Sequence, residues 1–587
     1  MIKIFKYVSK AEWLQVLISL VFIVAGVGLD LQLPDYMAEI TTLIQTPGSA
    51  ISAVWIAGGK MLLCALGGLV TSVIVGYFAA RIAASFSARL RSMLYASVDS
   101  FSAAEMSRFS TASLITRSTN DVTQVQMIVT LGLQMIIKAP IMAVWAVAKI
   151  AGKGIEWTWA TLIALAVLFL VITVLLAFML PKFKKVQDLT DDVNRLVQEN
   201  LNGLRVVRAY NAEDYQEDKF NKTNKELTET QLFTGRSMAI LSPFMSLTMN
   251  SLSLSIYIIG AVLINSAAAA AKLALFSNMV VFSSYAMQVI AAFIMLAMIF
   301  ILLPRASVSA KRINEVLDTK PTIKDGTASQ GKADCTGNIV FDNVSFKYPG
   351  STDYVIQDIS FTAHKGETVA VIGSTGSGKS TLINLVPRFY DTTEGSVSVG
   401  GVNVKDYTQK SLRNKIGYVP QKAVLFKGTV QSNIAYGENG ADAYNDADVQ
   451  QALAISQSAN FVEDMEGKAN AAISQGGTNV SGGQKQRLSI ARAVCRKPEI
   501  YIFDDSFSAL DFKTDRMLRS ALKKETAGVT SLIVAQRIGT IMDADQIIVL
   551  DEGRMVGKGT HHELLKNCEV YRQIAESQLS QEDLKNA

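Results

Sequence analysis

Three stretches of the 587-residue chain carry side chains suited to phosphate chemistry. The first is "VAVIGSTGSGKSTLINL". A β-type run, Thr368–Ile372, leads into Gly373, Ser374, Thr375, Gly376, Ser377, Gly378, Lys379 and Ser380, with Thr381 next. Glycines at this spacing let successive backbone N–H groups wrap a polyphosphate. Lysine there reaches the β and γ phosphates, and the serine hydroxyl ligates Mg²⁺. The helix that follows adds its positive N-terminal dipole. The strand–loop–helix setting makes this signal specific, and it predicts binding of a nucleoside triphosphate. The second stretch, "SGGQKQRLSIARAV", sets Ser481, Gly482, Gly483 and Gln484 at the start of an amphipathic helix, whose N-terminus attracts anions. The third, "YIFDDSFSALD", is an apolar run that ends in two adjacent carboxylates, Asp504 and Asp505, with Asp511 beyond. A carboxylate at the end of a buried strand suits a metal ion.

The elements that must hold these residues fall into two halves. The chain is 49% hydrophobic but only 18% charged, against about 25% charge in an average soluble domain. That deficit is local. All five tryptophans (Trp13, Trp55, Trp145, Trp157, Trp159) lie in the first third, and long apolar runs end near Leu303. We expect a membrane domain at 1–318, a linker at 319–336 and a soluble domain at 337–587. A helical span needs about 20 apolar residues. Six stretches qualify, at about 13–34, 52–80, 127–152, 157–181, 237–265 and 273–303. The first is too long for a cleavable signal and lacks a small-residue cleavage site.

Basic residues mark alternate span ends: Lys3, Lys6 and Lys10; Arg81, Arg89 and Arg91; Lys182, Lys184 and Lys185; Arg305, Lys311 and Arg312. This predicts a cell-membrane protein with its N-terminus, both long loops and its C-terminal half in the cytoplasm. Lys149 and Lys153 break the pattern, and Trp157 and Trp159 then fit the outer interfacial belt. Segments 82–126 and 182–236 keep helical periodicity and read as helices leaving the membrane, each reversing at a short crossing helix, within Ser107–Asp121 and Asn202–Asp214. Asp30 and Lys138 are ionisable residues inside spans. They read either as a substrate or gating site or as an interhelical ion pair. The four cysteines are scattered without metal-ligand spacing, and the net charge of +5 forms no basic block, so no nucleic-acid partner is expected.

In this order, the phosphate loop, "VPQ" (Val419–Gln421), "SGGQ", "IYIFDD" and "SALD" (Ser508–Asp511) resemble the nucleotide-binding domain of ATP-binding-cassette (ABC) transporters, from Asn338 to about Gln578. With six spans fused ahead of it, the chain resembles a half-size ABC exporter. The resemblance implies a six-helix exporter transmembrane domain plus an α/β P-loop domain that uses ATP and Mg²⁺. Tyr348 falls where the family stacks a ring on adenine. Gln421 and Asp504 match Mg²⁺-associated positions. Ser481 and Gly483, within Ser481–Gln484, match residues that clamp the ATP of the opposite subunit, and Asp511 matches one that reaches across the dimer. The crossing helices match coupling helices.

Three positions depart from the family, one of them Gln475 in "ISQGGTNV", which replaces a carboxylate often found shortly before the signature; the other two bear on catalysis. Where it has a catalytic glutamate after the Mg²⁺-binding aspartate, this chain has Asp505. Where it has a switch histidine, in "LIVAQRIGT", it has Gln536. The chain's three histidines, His364, His561 and His562, lie elsewhere. Aspartate is one methylene short, which withdraws its carboxylate by about 1 Å, and glutamine cannot become cationic. Both changes bear on the water-attack step. The expectation is therefore a site that binds Mg-ATP and hydrolyses it poorly, beside an intact signature. A second, non-identical half-transporter would supply the competent glutamate and histidine. The cargo expected is an amphipathic drug, lipid or peptide, and membrane lipid surrounds the spans. A homodimeric exporter, an ATP-gated regulatory module and an exporter-shaped importer of metal chelates are the alternatives.

Overall fold

The computed structural model describes residues 2–46, 48–150, 153–438, 444–525 and 527–579. Its contacts divide the chain into two units: Met1–Val98 with Ala112–Asp318, and Asp99–Thr111 with Thr319–Ala587.

The first unit is helical. Its helices are α1 (Lys10–Asp30), α2 (Leu33–Gln45) and α3 (Ile51–Asp99); then, beyond α4 (Ala103–Arg108), which belongs to the other unit, α5 (Thr111–Thr116), α6 (Val122–Leu131) and α7 (Lys138–Ile150). After these come α8 (Ile155–Asn202), α9 (Leu204–Ala209), α10 (Glu213–Ser266) and α11 (Ala269–Asp318). Among the described residues, six helical stretches are long and apolar enough to cross a membrane. Helix α3 has 49 residues and α10 has 54. At 1.5 Å per residue each far exceeds the roughly 30 Å hydrocarbon core, so each runs on beyond it.

Three features differ from the sequence expectation. The first span is not one helix: α1 stops at Asp30 and α2 restarts with Pro34 in its first turn, where the missing N–H costs no helical bond. The third is interrupted by a π-turn, Gly132–Ile136, and another, Arg117–Asp121, precedes it. Trp157, expected at the interface, is fully buried with its ring tilted against Phe282, whereas Trp159 is exposed. The two lysines that broke the charge pattern are accounted for. Lys149 pairs with Asp35 at 2.7 Å and Lys153 with the same carboxylate at 3.6 Å. At the N-terminus, Glu12 caps α1 through Ser9 and accepts from Arg89 of α3 at 2.8 Å, tying the first helix to the second span.

Among the described residues, the second unit holds twelve strands: β1 (Ile339–Phe346), β2 (Ile356–Ala363), β3 (Thr368–Gly373), β4 (Glu394–Val399), β5 (Val402–Asn403), β6 (Ile416–Val419), β7 (Gly428–Thr429), β8 (Ala472–Ile473), β9 (Ile500–Asp504), β10 (Thr530–Val534), β11 (Gln546–Asp551) and β12 (Arg554–Gly559). An antiparallel sheet runs β2-β1-β4-β5, and a six-stranded sheet runs β12-β11-β3-β10-β9-β6, parallel except for β12. Strand β9 is buried at every position, as an apolar run inside a covered parallel sheet must be. Because β3, β6, β9 and β10 run the same way, their C-terminal ends open at one edge, where open α/β sheets bind ligands.

The first crossing helix is α4, not the expected Ser107–Asp121. Ser102 and Glu105 form its capping box, and the Glu105 carboxylate also accepts from the Thr322 N–H at 3.2 Å. Those bonds explain why Asp99–Thr111 groups with Thr319 onward. The second, α9, lies inside Asn202–Asp214 as expected.

Candidate functional site

The phosphate loop leaves β3 at Gly373 and enters a helix at Lys379–Asn384. Gly376 and Gly378 have φ of +86° and +92°, which an L side chain adopts only under strain. A Cβ on Gly378 would lie 2.5 Å from the Ile356 side chain, so the loop needs glycine there. Gly376 faces open space on its Cβ side, and Ser374, Thr375 and Gly376 are exposed, as a cradle for a ligand must be. Ser377, Gly378, Lys379 and Thr381 are buried.

The Lys379 ammonium donates to the Gly373 and Ser374 carbonyls at 3.0 and 2.6 Å. Burial pushes its pKa down, and the nearby Asp505 and Asp504 carboxylates oppose that. A buried cation resting on carbonyls of the loop is placed to turn onto phosphate oxygens. Ser380 donates to Asp504 at 2.7 Å. These two side chains, from the helix start and from the end of β9, are the oxygen donors a hard cation such as Mg²⁺ takes. The donor set therefore fits a Mg-triphosphate.

Asp505 follows at the turn out of β9, with φ +46°, a conformation that aspartate tolerates better than most residues. Its N–H donates to the Val534 carbonyl at 3.0 Å, and its own carbonyl accepts from the Ser508 hydroxyl at 2.9 Å. Its Oδ2 accepts from the Gln536 amide at 2.9 Å and from the Gln421 amide at 3.4 Å. Both departures from the expected pattern are thus bonded to each other. Burial holds the Asp504 and Asp505 carboxyls above the ordinary aspartate value. Ser380 works against this at Asp504, and Gln421 and Ser508 work against it at Asp505.

Tyr348 is half-buried, edge-on to Phe346 and Tyr390, and its hydroxyl shares a 2.9 Å hydrogen bond with Thr381 beside the loop. Ser481 caps the helix Gly482–Cys495 in a capping box with Gln484, which leaves Ser481 and Gly482 exposed at a helix N-terminus. Asp511 is exposed and accepts from the Thr514 N–H, which keeps its carboxyl below the usual range. Gly373–Thr381, Gln421, Asp504, Asp505 and Gln536 thus gather at the sheet edge, joined by the bonds above. Among the described residues, no hydrogen bond or ion pair joins Ser481–Gln484 or Asp511 to this cluster. The convergence of two amides on Asp505 does not show in motif or spacing. Its only trace in the sequence is that both glutamines closely follow apolar strands.

Comparison with known proteins places this geometry. The ABC transporter family matches residues 356–508, and the ABC transporter transmembrane region matches 16–293. An uncharacterized ABC transporter ATP-binding protein of Mycobacterium tuberculosis is 40% identical over 465 residues, 79% of each chain. The ATP-dependent lipid A-core flippase of Pseudomonas putida is 32% identical over 456 residues, 77% of this chain and 73% of the flippase. A bacterial Atm1-family ABC exporter with ATP bound shares the fold, with a TM-score of 0.81 at 24% identity over 98% of this chain and 100% of its own. The chain belongs to the ABC transporters, as a multi-pass cell-membrane protein with an exporter-type transmembrane domain and a cytoplasmic nucleotide-binding domain that couples ATP hydrolysis to transport.

Proposed function

We propose that this chain is one half of a heterodimeric exporter of amphipathic molecules, and that its own ATP site binds far better than it cuts. In this reading ATP lies in Gly373–Thr381 with its adenine against Tyr348. Ser380, Gln421 and Asp504 would hold Mg²⁺, which would supply positive charge to the triphosphate. The observation that carries the reading is the Gln536–Asp505 hydrogen bond. The Asp505 carboxylate is one methylene short and its Oδ2 already accepts from two amides, so it is set back from the water it would have to activate. A neutral amide in place of a histidine offers hydrogen bonding without positive charge.

Ser481–Gln484 and Asp511 then complete the partner's site, where a glutamate and a histidine perform hydrolysis. Closure of the two cassettes acts through α4 and α9 on the spans. An amphipathic cargo is supported by the six-span apolar domain and by the lipid substrate in the flippase's name.

The test is substitution in the assembled pair. Asp505→Ala leaves steady-state ATPase activity within about twofold, whereas replacing the partner's catalytic glutamate lowers it by on the order of a hundredfold. Loss of nearly all activity on Asp505→Ala would overturn the assignment.

A further inference from the structure

The membrane unit contains a polar cavity of about 240 Å³ between α1, α3 and the second π-turn. Phe22 and Val75 form apolar wall; Thr71, Ser72, Gln134 and Lys138 supply polar groups. Phe22 and Lys138 fall near the middles of their spans, where polar lining is costly and marks a functional site. The π-turn that carries Gln134 closes with Ile137 N–H donating to the Gly132 carbonyl at 3.3 Å, a spacing rare in helices and frequent at functional sites. Gln134 and Lys138 are four residues apart and share one face. Gly26 lets α1 approach α3 here, since a Cβ on it would lie 2.8 Å from the Thr71 hydroxyl.

The Lys138 ammonium donates to Asp30 at 3.1 Å, and neither side chain is fully covered: 28% and 36% are exposed. An ammonium has three donors, of which Asp30 takes one. The rest, with the Gln134 amide and the Ser72 hydroxyl, form a donor set suited to an oxyanion. Thr71 already donates to the Gly68 carbonyl at 2.9 Å. Ser72 is exposed, so the cavity opens there.

We propose that this cavity binds the oxyanionic head of an amphipathic molecule, a carboxylate or a phosphate, with Lys138 as its counter-ion and Asp30 as the group it displaces. The proposal narrows the cargo class and rests on the exporter reading. The volume is below the 300–1,000 Å³ of complete ligand pockets, so the cavity takes a head and the first carbons while the tail lies along apolar helix surface.

The experiment uses the full chain in phosphatidylcholine nanodiscs without nucleotide, titrated with oleate and with oleyl alcohol. The ATP site and transport play no part in this readout. If binding succeeds while ATP-driven flux fails, only the exporter reading falls. The wild type binds oleate at least about tenfold more tightly than the alcohol. Asp30→Asn frees the ammonium and tightens oleate binding several-fold. Asp30→Asn with Lys138→Met removes both charges together, leaves no unpaired ion and abolishes the preference. Phosphatidic acid added to the nanodiscs displaces oleate if the site accepts a lipid phosphate, and leaves it bound if the site is confined to carboxylates. Either result upholds the oxyanion site. Equal binding of oleate and oleyl alcohol, or weaker oleate binding by Asp30→Asn, overturns it.

Discussion

Asp504 and Asp505 sit side by side at the end of a buried strand, and burial raises both carboxyls above the ordinary aspartate value of 3.8. In the unfolded chain they return toward it. The folded state therefore binds more protons, and the stability this contributes is full below the ordinary value and is lost as pH rises through the raised folded one. Without Mg²⁺ or nucleotide, the melting temperature of the wild type should fall relative to that of Asp504→Asn as pH rises through that window, and a pH-independent difference would refute the account. Bound Mg²⁺ favours the carboxylates and should reverse the trend. The two substitutions that set this site apart, Asp505 and Gln536, were legible as residues because neighbouring motifs fixed their register. Their mutual hydrogen bond was not, because it depends on β9 and β10 lying adjacent, and strand order is invisible to local pattern.

At the scale of elements, the phosphate loop is held by backbone conformations that one residue type permits. Gly378→Ala would force a side chain into a left-handed backbone and against Ile356. The conformational strain alone is about 1–2 kcal/mol. We expect a melting temperature lowered by a few degrees and ATP binding weakened by at least about tenfold. Titration with a fluorescent ATP analogue measures the second, and wild-type affinity in this variant would contradict the loop geometry. The strand–loop–helix unit was plain in the sequence because turn glycines and apolar periodicity agree there. The first crossing helix is not legible at its true place because α4, only six residues long, carries too few side chains to show a period. Its true signal is the capping box of Ser102 with Glu105. The break after Asp30 is not legible because hydrophobic content alone does not register a proline at a helix start.

For the whole molecule, alternation of basic span ends puts residue 215 in the cytoplasm and residue 266 outside. Tyr215 and Ser266 are both exposed. With the four native cysteines replaced, Ser266→Cys should react with a membrane-impermeant maleimide on intact cells. Tyr215→Cys should react only after the cells are opened, and the reverse pattern would invert the topology. Six spans and a cassette could be read from composition because hydrophobic length and charge bias are global signals. The π-turns and the buried Trp157 could not, since packing between helices decides them.

The most direct test is phosphate release by the purified full chain, without a partner, from bound Mg-ATP. It is to be compared with the same chain carrying Asp505→Glu and Gln536→His. The account predicts that the unaltered chain retains ATP and releases phosphate at least about tenfold more slowly than the doubly substituted one. Equal and rapid release by both chains would contradict it.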